Sequence, residues 1–140
     1  MIRVIDIETT GIDPVSDAII EIASVDMVRG GGITNSMGTL VRPGKPIPPG
    51  ASAIHHIIDE DLKDAPPLSE VIDRFKGADA YVAHNCEFEN SFFAAQGIEF
   101  GPWICTYKCA LRVWPELDGH SNQELRYVLV RCPFAQLRRL

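Results

Sequence analysis

The sequence predicts an α/β domain built on a mixed sheet, in which an antiparallel three-strand meander is flanked by helices. Three strand-like segments follow one another with short connections, which is the arrangement of a meander. Helical and strand-like segments then alternate, and such alternation is typical of sheets whose faces carry helices. The chain has 140 residues, 46% of them hydrophobic and 23% charged, which is enough for one domain with its own core.

The meander is predicted from three segments, residues 2–8, 18–28 and 33–41. The first is rich in β-branched residues and ends at the turn-forming Thr9-Thr10-Gly11. Gly30-Gly31-Gly32 separates the second segment from the third. The Pro-rich stretch 42–50 is too stiff and too poor in N–H donors for a strand interior, so we expect a loop there.

Helices and short strands are predicted over the rest of the chain. Helices are expected at 51–58, 60–63, 68–75, 87–95, 107–114 and 122–130, and extended segments at 80–84 and 103–106. Asp59 and Thr106 are expected to cap the helices that follow them. Ser121 is expected to cap the last helix, with Glu124 at the capping-box position. Gly97 is suited to end the helix predicted at 87–95.

The net charge and the hydropathy of the chain argue against some classes of function. The net charge of −6 argues against a protein that binds nucleic acid through a broad basic face. It leaves open a protein that holds a strand end through divalent cations, because bound cations reverse the field of clustered carboxylates. The sequence contains no apolar run near the roughly 20 residues that span a bilayer, and its amino terminus does not resemble a secretory signal. We therefore expect a cytoplasmic protein with no membrane segment.

The chain has four cysteines: Cys86, Cys105, Cys109 and Cys132. Their spacing matches neither a CxxC metal-binding pair nor a regular disulfide framework. We expect reduced, mostly buried thiols.

The acidic pair on the first strand is the sharpest functional signal. Asp6 and Glu8 are two residues apart, so both side chains point to the same face of a strand that is otherwise apolar. Two like charges held together need neutralisation, and a hard divalent cation such as Mg²⁺ or Mn²⁺ provides it. The alternative is that these acids lie on the solvent face of an antiparallel sheet, where alternation alone explains them. The Thr-Thr-Gly turn favours the first interpretation, since backbone N–H groups and close approach suit a bound nucleotide.

The segment VIDIETTG resembles the first motif of the DEDD (DnaQ-like) 3′–5′ exonuclease superfamily. Further segments are similar to the same proteins in the same order: EIASVDMV, TLVRPGKPIPPGASAIHHI, YVAHNCEFEN, WICTYKCALRVWP and HSNQELRYVL. The last two are most like the exonuclease X type. The resemblance extends from residue 1 to about residue 129. It implies a ribonuclease H-like fold, one exonuclease domain over residues 1–140, and two-metal hydrolysis of terminal phosphodiesters.

The resemblance also implies roles for particular residues. Asp6, Glu8 and Glu89 would be the catalytic carboxylates that bind Mg²⁺ or Mn²⁺, although the family has Asp where this chain has Glu89. The predicted nucleic-acid contacts are Thr9, Thr10, Gly11, Ile12, Ile54, His55, Asn85 and Phe88. His84 is expected to brace the second motif as a hydrogen-bonded packing residue. DNA 3′ ends, single-stranded or frayed, are the expected substrate, with RNA as a possibility.

The resemblance does not extend to the family's third motif, HxAxxD, which supplies a general base and a fourth carboxylate. Residues 130–140 do not resemble the family, and we expect a chain truncated before this motif, with weak or no activity. A non-catalytic nucleic-acid-binding or adaptor module is the alternative function, and an RNA-trimming enzyme is another. A missing helix would expose apolar surface, which favours a homodimer.

Overall fold

The structure is a computed structural model that describes residues 1–131. Its strands are β1 (Ile2–Thr9), β2 (Ile19–Val28), β3 (Gly32–Leu40), β4 (Ala80–Ala83) and β5 (Trp103–Cys105). Its α-helices are α1 (Pro49–His55), α2 (Asp59–Leu62), α3 (Leu68–Val71), α4 (Glu87–Ala95), α5 (Thr106–Val113) and α6 (Asn122–Arg131), and a 3₁₀ helix covers Ile72–Phe75. Within this range, no helix has the length and apolar character that crossing a membrane requires.

The strands form one five-stranded sheet in the order β3-β2-β1-β4-β5. The first three strands pair antiparallel, as the meander predicts, whereas β4 pairs parallel to β1 and β5 parallel to β4. The predicted fold class, a mixed sheet flanked by helices, is therefore confirmed. This topology places β1 at the centre of the sheet, with a hydrogen-bonded partner on each side.

The side chains of β1 alternate between a buried and an open face. Ile5 and Ile7 are 1% and 5% exposed and belong to the main core, with Ile22 of β2 and Phe92 and Phe93 of α4. Asp6 and Glu8 point the other way, Asp6 exposed and Glu8 half-buried. The pairing with β2 therefore separates the apolar residues of the strand from its acids.

Two predicted helix caps are wrong. Asp59 is the first residue of α2 and accepts a hydrogen bond from the Ile47 N–H at 2.9 Å, while the Asp61 carboxylate accepts one from the Ile58 N–H at 3.0 Å. Thr106 is likewise the first residue of its helix, and its hydroxyl donates to the Ala83 carbonyl at 3.2 Å. In both cases the side chain predicted to cap the helix forms its hydrogen bond with a residue of another segment.

Of three other helix predictions, two are confirmed and one differs from the structure. The capping box of α6 is confirmed: Ser121 Oγ accepts from the Glu124 N–H at 3.2 Å, and the Glu124 carboxylate accepts from the Ser121 N–H at 3.0 Å. Gly97, with φ of 69°, lies beyond the end of α4 as predicted. The helix expected at 68–75 is instead a short α-helix followed by a 3₁₀ turn.

A buried ion pair joins the first two strands. The Arg3 guanidinium donates to both carboxylate oxygens of Asp26, Nε to Oδ1 at 2.7 Å and Nη2 to Oδ2 at 2.9 Å, and both residues are 4% exposed. Arg3 Nη1 also donates to the carbonyls of Arg74 and Lys76, and Asn35 Nδ2 donates to Asp26 at 2.7 Å. The network therefore links β1 and β2 to β3 and to the 3₁₀ helix. Its hydrogen bonds with Arg3 hold the pKa of Asp26 below the usual range.

We predict that Asp26→Ala lowers the free energy of unfolding by about 3–5 kcal/mol, because it leaves the Arg3 guanidinium buried without a counter-charge. Urea unfolding followed by circular dichroism measures this change. Asp73→Ala is the control, since Asp73 is exposed and pairs with Lys76 on the surface. Equal effects of the two substitutions would contradict the prediction. Because the pKa of Asp26 is lowered, its contribution is present above the ordinary Asp pKa and is lost as pH falls through the lowered value.

Candidate active site

Three acidic side chains occupy the region predicted to be catalytic. Asp6 and Glu8 extend from the open face of β1, and Glu89 lies in the first turn of α4. Glu89 is only 4% exposed, and its Oε2 atom is buried without a hydrogen-bond partner. A buried and unpartnered carboxylate oxygen is costly in the absence of a cation, so this atom is suited to ligate one.

The pKa values of these acids are raised. Burial raises the pKa of Glu89 to about 7, and the charge of Asp6 acts in the same direction. Burial also raises the pKa of Glu8, with further contributions from the charges of Asp6 and Glu21. The pKa of Asp6 is raised by the surrounding protein, because its carboxylate lies in a concave surface beside Val82 and His84 even though solvent reaches it. Without a cation, the site therefore disfavours the charged forms of all three acids.

The donor set fits a hard divalent cation in its chemistry, since every candidate ligand is a carboxylate oxygen. Among residues 1–131, however, no three acidic, histidine or cysteine side chains converge closely enough to form a metal cluster. The charge of Asp6 raises the pKa of both Glu8 and Glu89, but the three acids do not form a preassembled site. The assignment of Glu89 as a ligand stays a prediction.

A cavity of about 320 Å³ opens beside Glu8. It is lined by Ile7, Glu8, Thr9, Thr10, Gly11, Ile12, Gly50, Ala51, Ile54, His55 and Phe88. The structure thus brings together, from three distant parts of the sequence, all the predicted nucleic-acid contacts except Asn85. The lining is mostly apolar with a few polar groups, and the volume lies in the range of small-ligand sites.

The Thr9-Thr10-Gly11 turn forms one wall of the cavity and is held by internal hydrogen bonds. Thr10 donates its N–H to the Ala18 carbonyl at 2.9 Å, and its hydroxyl donates to Asp17 at 3.1 Å. The Thr10 N–H is therefore not one of the free backbone N–H groups that the sequence predicted for a bound nucleotide. A Cβ atom at Gly11 would lie 2.2 Å from Asp17 Oδ2, so a larger residue at this position would displace the Asp17 carboxylate from its hydrogen bonds with Thr10 and Asp13.

His55 also lines the cavity. Its Nδ1 accepts a hydrogen bond from the Ile57 N–H at 3.1 Å, which places the proton of the neutral ring on Nε2. Nε2 is buried without a protein partner, in a side chain that lines the cavity. His55 is therefore suited to donate a hydrogen bond to a bound ligand.

Aromatic and aliphatic side chains make up part of the cavity lining. The phenylalanines of α4 divide between the core and the cavity, as their helical spacing predicts. Phe92 and Phe93 are fully buried, whereas Phe88 is half-buried, lines the cavity and packs on Phe92 with ring centroids 4.9 Å apart. Ile12 and Ile54 are 87% and 77% exposed, so each presents an unburied apolar side chain at the cavity. These residues supply a surface on which a nucleobase can stack.

The structure does not place Asn85 in the cavity. Asn85 is exposed and has a left-handed conformation, with φ of 71°, in the turn between β4 and α4. Its carbonyl accepts the Phe88 N–H at 2.9 Å. Asn85 therefore shapes the start of α4 and does not line the cavity, and its contact with nucleic acid stays a prediction.

His84 is hydrogen-bonded on both sides. Nε2 lies 2.7 Å from the His120 carbonyl, and Nδ1 lies 3.0 Å from the Thr106 hydroxyl. His120 is a loop residue, as predicted, but it is 9% exposed and its Nε2 lies 2.7 Å from the Trp114 carbonyl. Both histidines act as packing residues that hold the segment before α6 against the end of β4.

A ribonuclease H-like sheet with acids on its central strand beside a nucleotide-sized cavity is the architecture of a nuclease, and relatives identify the class. The model of the RNase_T family, described as Exonuclease, matches residues 4–129. Exodeoxyribonuclease 10 of Escherichia coli strain K12 is 43% identical over 125 residues, covering 89% of this chain and 53% of that protein. The DNA polymerase III subunit epsilon of Treponema pallidum strain Nichols is 39% identical over 126 residues, covering 83% and 58%.

Solved structures agree with these matches. Exonuclease X in complex with 5′ overhanging duplex DNA superimposes with a TM-score of 0.81 at 40% identity, covering 95% of this chain and 77% of that one. Escherichia coli exonuclease I in complex with a dT13 oligonucleotide gives a TM-score of 0.66 at 14% identity, covering 82% and 30%, which shows the fold alone.

The chain belongs to the RNase_T family of exonucleases. This confirms the resemblance to the DEDD 3′–5′ exonuclease superfamily, and to the exonuclease X type within it. The chain spans a little over half the length of the exodeoxyribonuclease 10 and epsilon-subunit relatives.

We predict that Glu89→Gln stabilises the metal-free protein at alkaline pH. With a pKa raised from 4.5 to about 7, Glu89 is protonated in the folded chain but ionised in the unfolded chain between these values. The wild type therefore loses stability relative to the variant as pH rises through this window, by up to about 3 kcal/mol at 1.4 kcal/mol per pKa unit. Urea unfolding with a chelator at pH 4 and pH 8 measures the difference.

Glu87→Gln is the matched control, because Glu87 lies in the same helical turn but is exposed. Adding Mn²⁺ at pH 8 should raise the melting temperature of the wild type more than that of Glu89→Gln. A pH-independent difference between wild type and Glu89→Gln would contradict the proposed burial of an ionisable carboxyl.

Proposed function

We propose that residues 1–140 form a single metal-dependent 3′–5′ exonuclease domain that hydrolyses terminal phosphodiesters of DNA. The observation that carries the proposal is the position of the acids. Glu8 lines a nucleotide-sized cavity, Asp6 shares its strand face, and the buried Glu89 carboxylate interacts with Asp6. The family membership and the DNA-bound structure of exonuclease X support the same reaction and substrate class.

Asp6, Glu8 and Glu89 are the residues that would hold Mg²⁺ or Mn²⁺. Two such cations, when bound, supply Lewis-acid activation of the phosphodiester and neutralise the carboxylates. The protein contributes the placement of these acids, since Asp6 and Glu8 are fixed by the central strand and Glu89 by the start of α4. Glu89 extends one methylene further than the Asp of the family, and we expect weaker cation binding because Mg²⁺ requires near-ideal octahedral geometry.

The cavity would hold the terminal nucleoside. Phe88 offers an aromatic face for the base, Ile12 and Ile54 offer apolar contacts, and His55 Nε2–H offers a hydrogen bond. A cavity of about 320 Å³ suits one nucleotide at a strand end, single-stranded or frayed, and the net charge of −6 suits a small contact area on the strand. RNA would enter the same cavity, so discrimination between DNA and RNA is left to experiment.

A non-catalytic nucleic-acid-binding module is the second candidate function. Its specific support is that His84, which lies beside Asp6, has both ring nitrogens in hydrogen bonds within the described part of the chain. A ring bonded on both sides is not available as a general base, and a missing base alone typically lowers a rate by about 10²–10⁴. Cytoplasmic location and homodimer formation also stay predictions.

We predict release of labelled mononucleotide when the protein is incubated with a 3′-labelled single-stranded DNA oligonucleotide and Mn²⁺. Asp6→Ala should lower the rate at least about 10²-fold, because it removes one of the carboxylates that would bind the cation. Asp73→Ala, an exposed acid on the 3₁₀ helix, should leave the rate unchanged. Binding of the oligonucleotide without any release by the wild type would favour the binding module, and an RNA oligonucleotide of the same sequence tests for RNA trimming.

We predict that Phe88→Ala weakens binding of single-stranded DNA about 5- to 150-fold, since stacking of one base on an aromatic ring is worth about 1–3 kcal/mol. Fluorescence anisotropy with a chelator present measures binding without turnover. Tyr127→Ala is the control, because Tyr127 is an exposed aromatic residue on α6 that does not line the cavity. Equal affinities of the two variants would show that the cavity is not the base-binding surface.

A further inference from the structure

Two cysteines from separate segments meet at the carboxyl ends of β4 and β5. These strands are parallel neighbours, with Ala83 opposite Cys105 in the register. Cys86 is the N-cap of α4 and Cys105 is the N-cap of α5, so both lie where a helix leaves the same edge of the sheet. The hydrogen bond from Thr106 to the Ala83 carbonyl fixes the two segments together. The two thiols are close enough to perturb each other's ionisation.

The surroundings of Cys105 favour its thiolate. Asn85 has a left-handed conformation with φ of 71° and Cys86 a right-handed one with φ of −54°, and consecutive residues of opposite hand direct their N–H groups to one side as an anion-binding nest. Partial burial raises the pKa of Cys105, but hydrogen bonds from the backbone N–H groups of Lys108, Cys86 and Asn85 outweigh it, so the net pKa is lowered. The Lys108 ammonium, paired with Glu87, adds positive charge nearby.

Cys86 has the opposite character. It is 8% exposed, and burial followed by the nearby Cys105 raises its pKa. Cys105 is half-buried and therefore more accessible to a small reagent. A partly accessible thiol with a lowered pKa beside a buried thiol with a raised pKa is the arrangement of an attacking and a resolving cysteine. The expectation of mostly buried thiols is thus wrong in part, because Cys86 alone is buried among the described cysteines and Cys109 is exposed. Cys132 lies outside the described residues.

We propose that Cys86 and Cys105 form a modification site that reacts with hydroperoxides to give an intrachain disulfide. The Cys105 thiolate attacks the terminal oxygen of the hydroperoxide, the O–O bond breaks, and the products are a sulfenic acid on Cys105 and an alcohol, or water from hydrogen peroxide. The Cys86 sulfur then attacks the Cys105 sulfur, and the hydroxyl group leaves with the Cys86 proton as water. Two thiols are oxidised by two electrons, and the peroxide is reduced.

The site is distinct from the candidate active site but is joined to it through α4. Cys86 immediately precedes the helix that carries Phe88 and Glu89. A disulfide to Cys105 would tie the start of this helix to the start of α5. The proposal does not depend on nuclease activity, because the reaction requires only the two thiols and the oxidant.

The test uses the full chain with Cys109→Ser and Cys132→Ser, so that Cys86 and Cys105 are the two remaining thiols. The protein is treated with hydrogen peroxide, then alkylated under denaturing conditions and analysed by intact mass and peptide mapping. We expect loss of both free thiols, a mass lower by two hydrogen atoms, and a reducible peptide pair containing residues 86 and 105. Circular dichroism of the untreated variant checks that it is folded.

Two further variants on the same background separate the roles of the thiols. With Cys86→Ser, Cys105 should stop at the sulfenic acid, which dimedone traps. With Cys105→Ser, Cys86 should remain fully alkylatable after peroxide, because it is buried and lacks the favoured thiolate. Persistence of both free thiols in the two-cysteine protein, or disulfides formed only between chains, would overturn the proposal.

Discussion

The central position of β1 is the constraint on which the rest of the domain depends. A strand paired on both sides cannot slip by one residue without exchanging its two faces, and here one face is the core. Burial of Ile5 and Ile7 therefore fixes the orientation of Asp6 and Glu8. Packing of Phe92 and Phe93 against the same core orients α4, and Glu89 with it. The hydrophobic core thus holds Asp6, Glu8 and Glu89 in the same region, although repulsion between their carboxylates opposes this arrangement.

The domain contains one buried acid whose charge is compensated, Asp26 on β2, and one whose charge is not, Glu89 on α4. Asp26 receives a bidentate guanidinium and an amide, and its pKa falls. Glu89 is equally inaccessible but has an unpartnered oxygen, and its pKa rises to about 7. The first acid contributes to the stability of the sheet, while the second reduces stability in the absence of a cation. Perturbed and unsatisfied acids of this kind are concentrated at functional sites.

The Thr9-Thr10-Gly11 turn is held at the cavity by hydrogen bonds to the segment that follows it. Thr10 is engaged with Asp17 and Ala18, and the Asp17 carboxylate occupies the space that a side chain at position 11 would need. The turn thereby holds Ile12 at the cavity. His55 differs, because Ile57 fixes its tautomer and leaves Nε2–H directed at no protein acceptor. The cavity lining is mainly apolar, and His55 Nε2–H is a polar group available for recognition.

Sequence patterns alone determined the meander, the face shared by Asp6 and Glu8, the capping box of α6 and the family, because these depend on local periodicity and on motifs in a fixed order. Tertiary structure decided the features that depend on contacts between segments distant in sequence. The caps expected at Asp59 and Thr106 were lost to partners from remote segments, and the left-handed turn at Asn85 kept that residue out of the cavity. The burial of Glu89 and the meeting of Cys86 with Cys105 arise from the parallel pairing of β4 and β5 beside β1. Such pairing joins residues distant in sequence, and desolvation of a carboxylate or contact between two thiols exists only once the chain has folded.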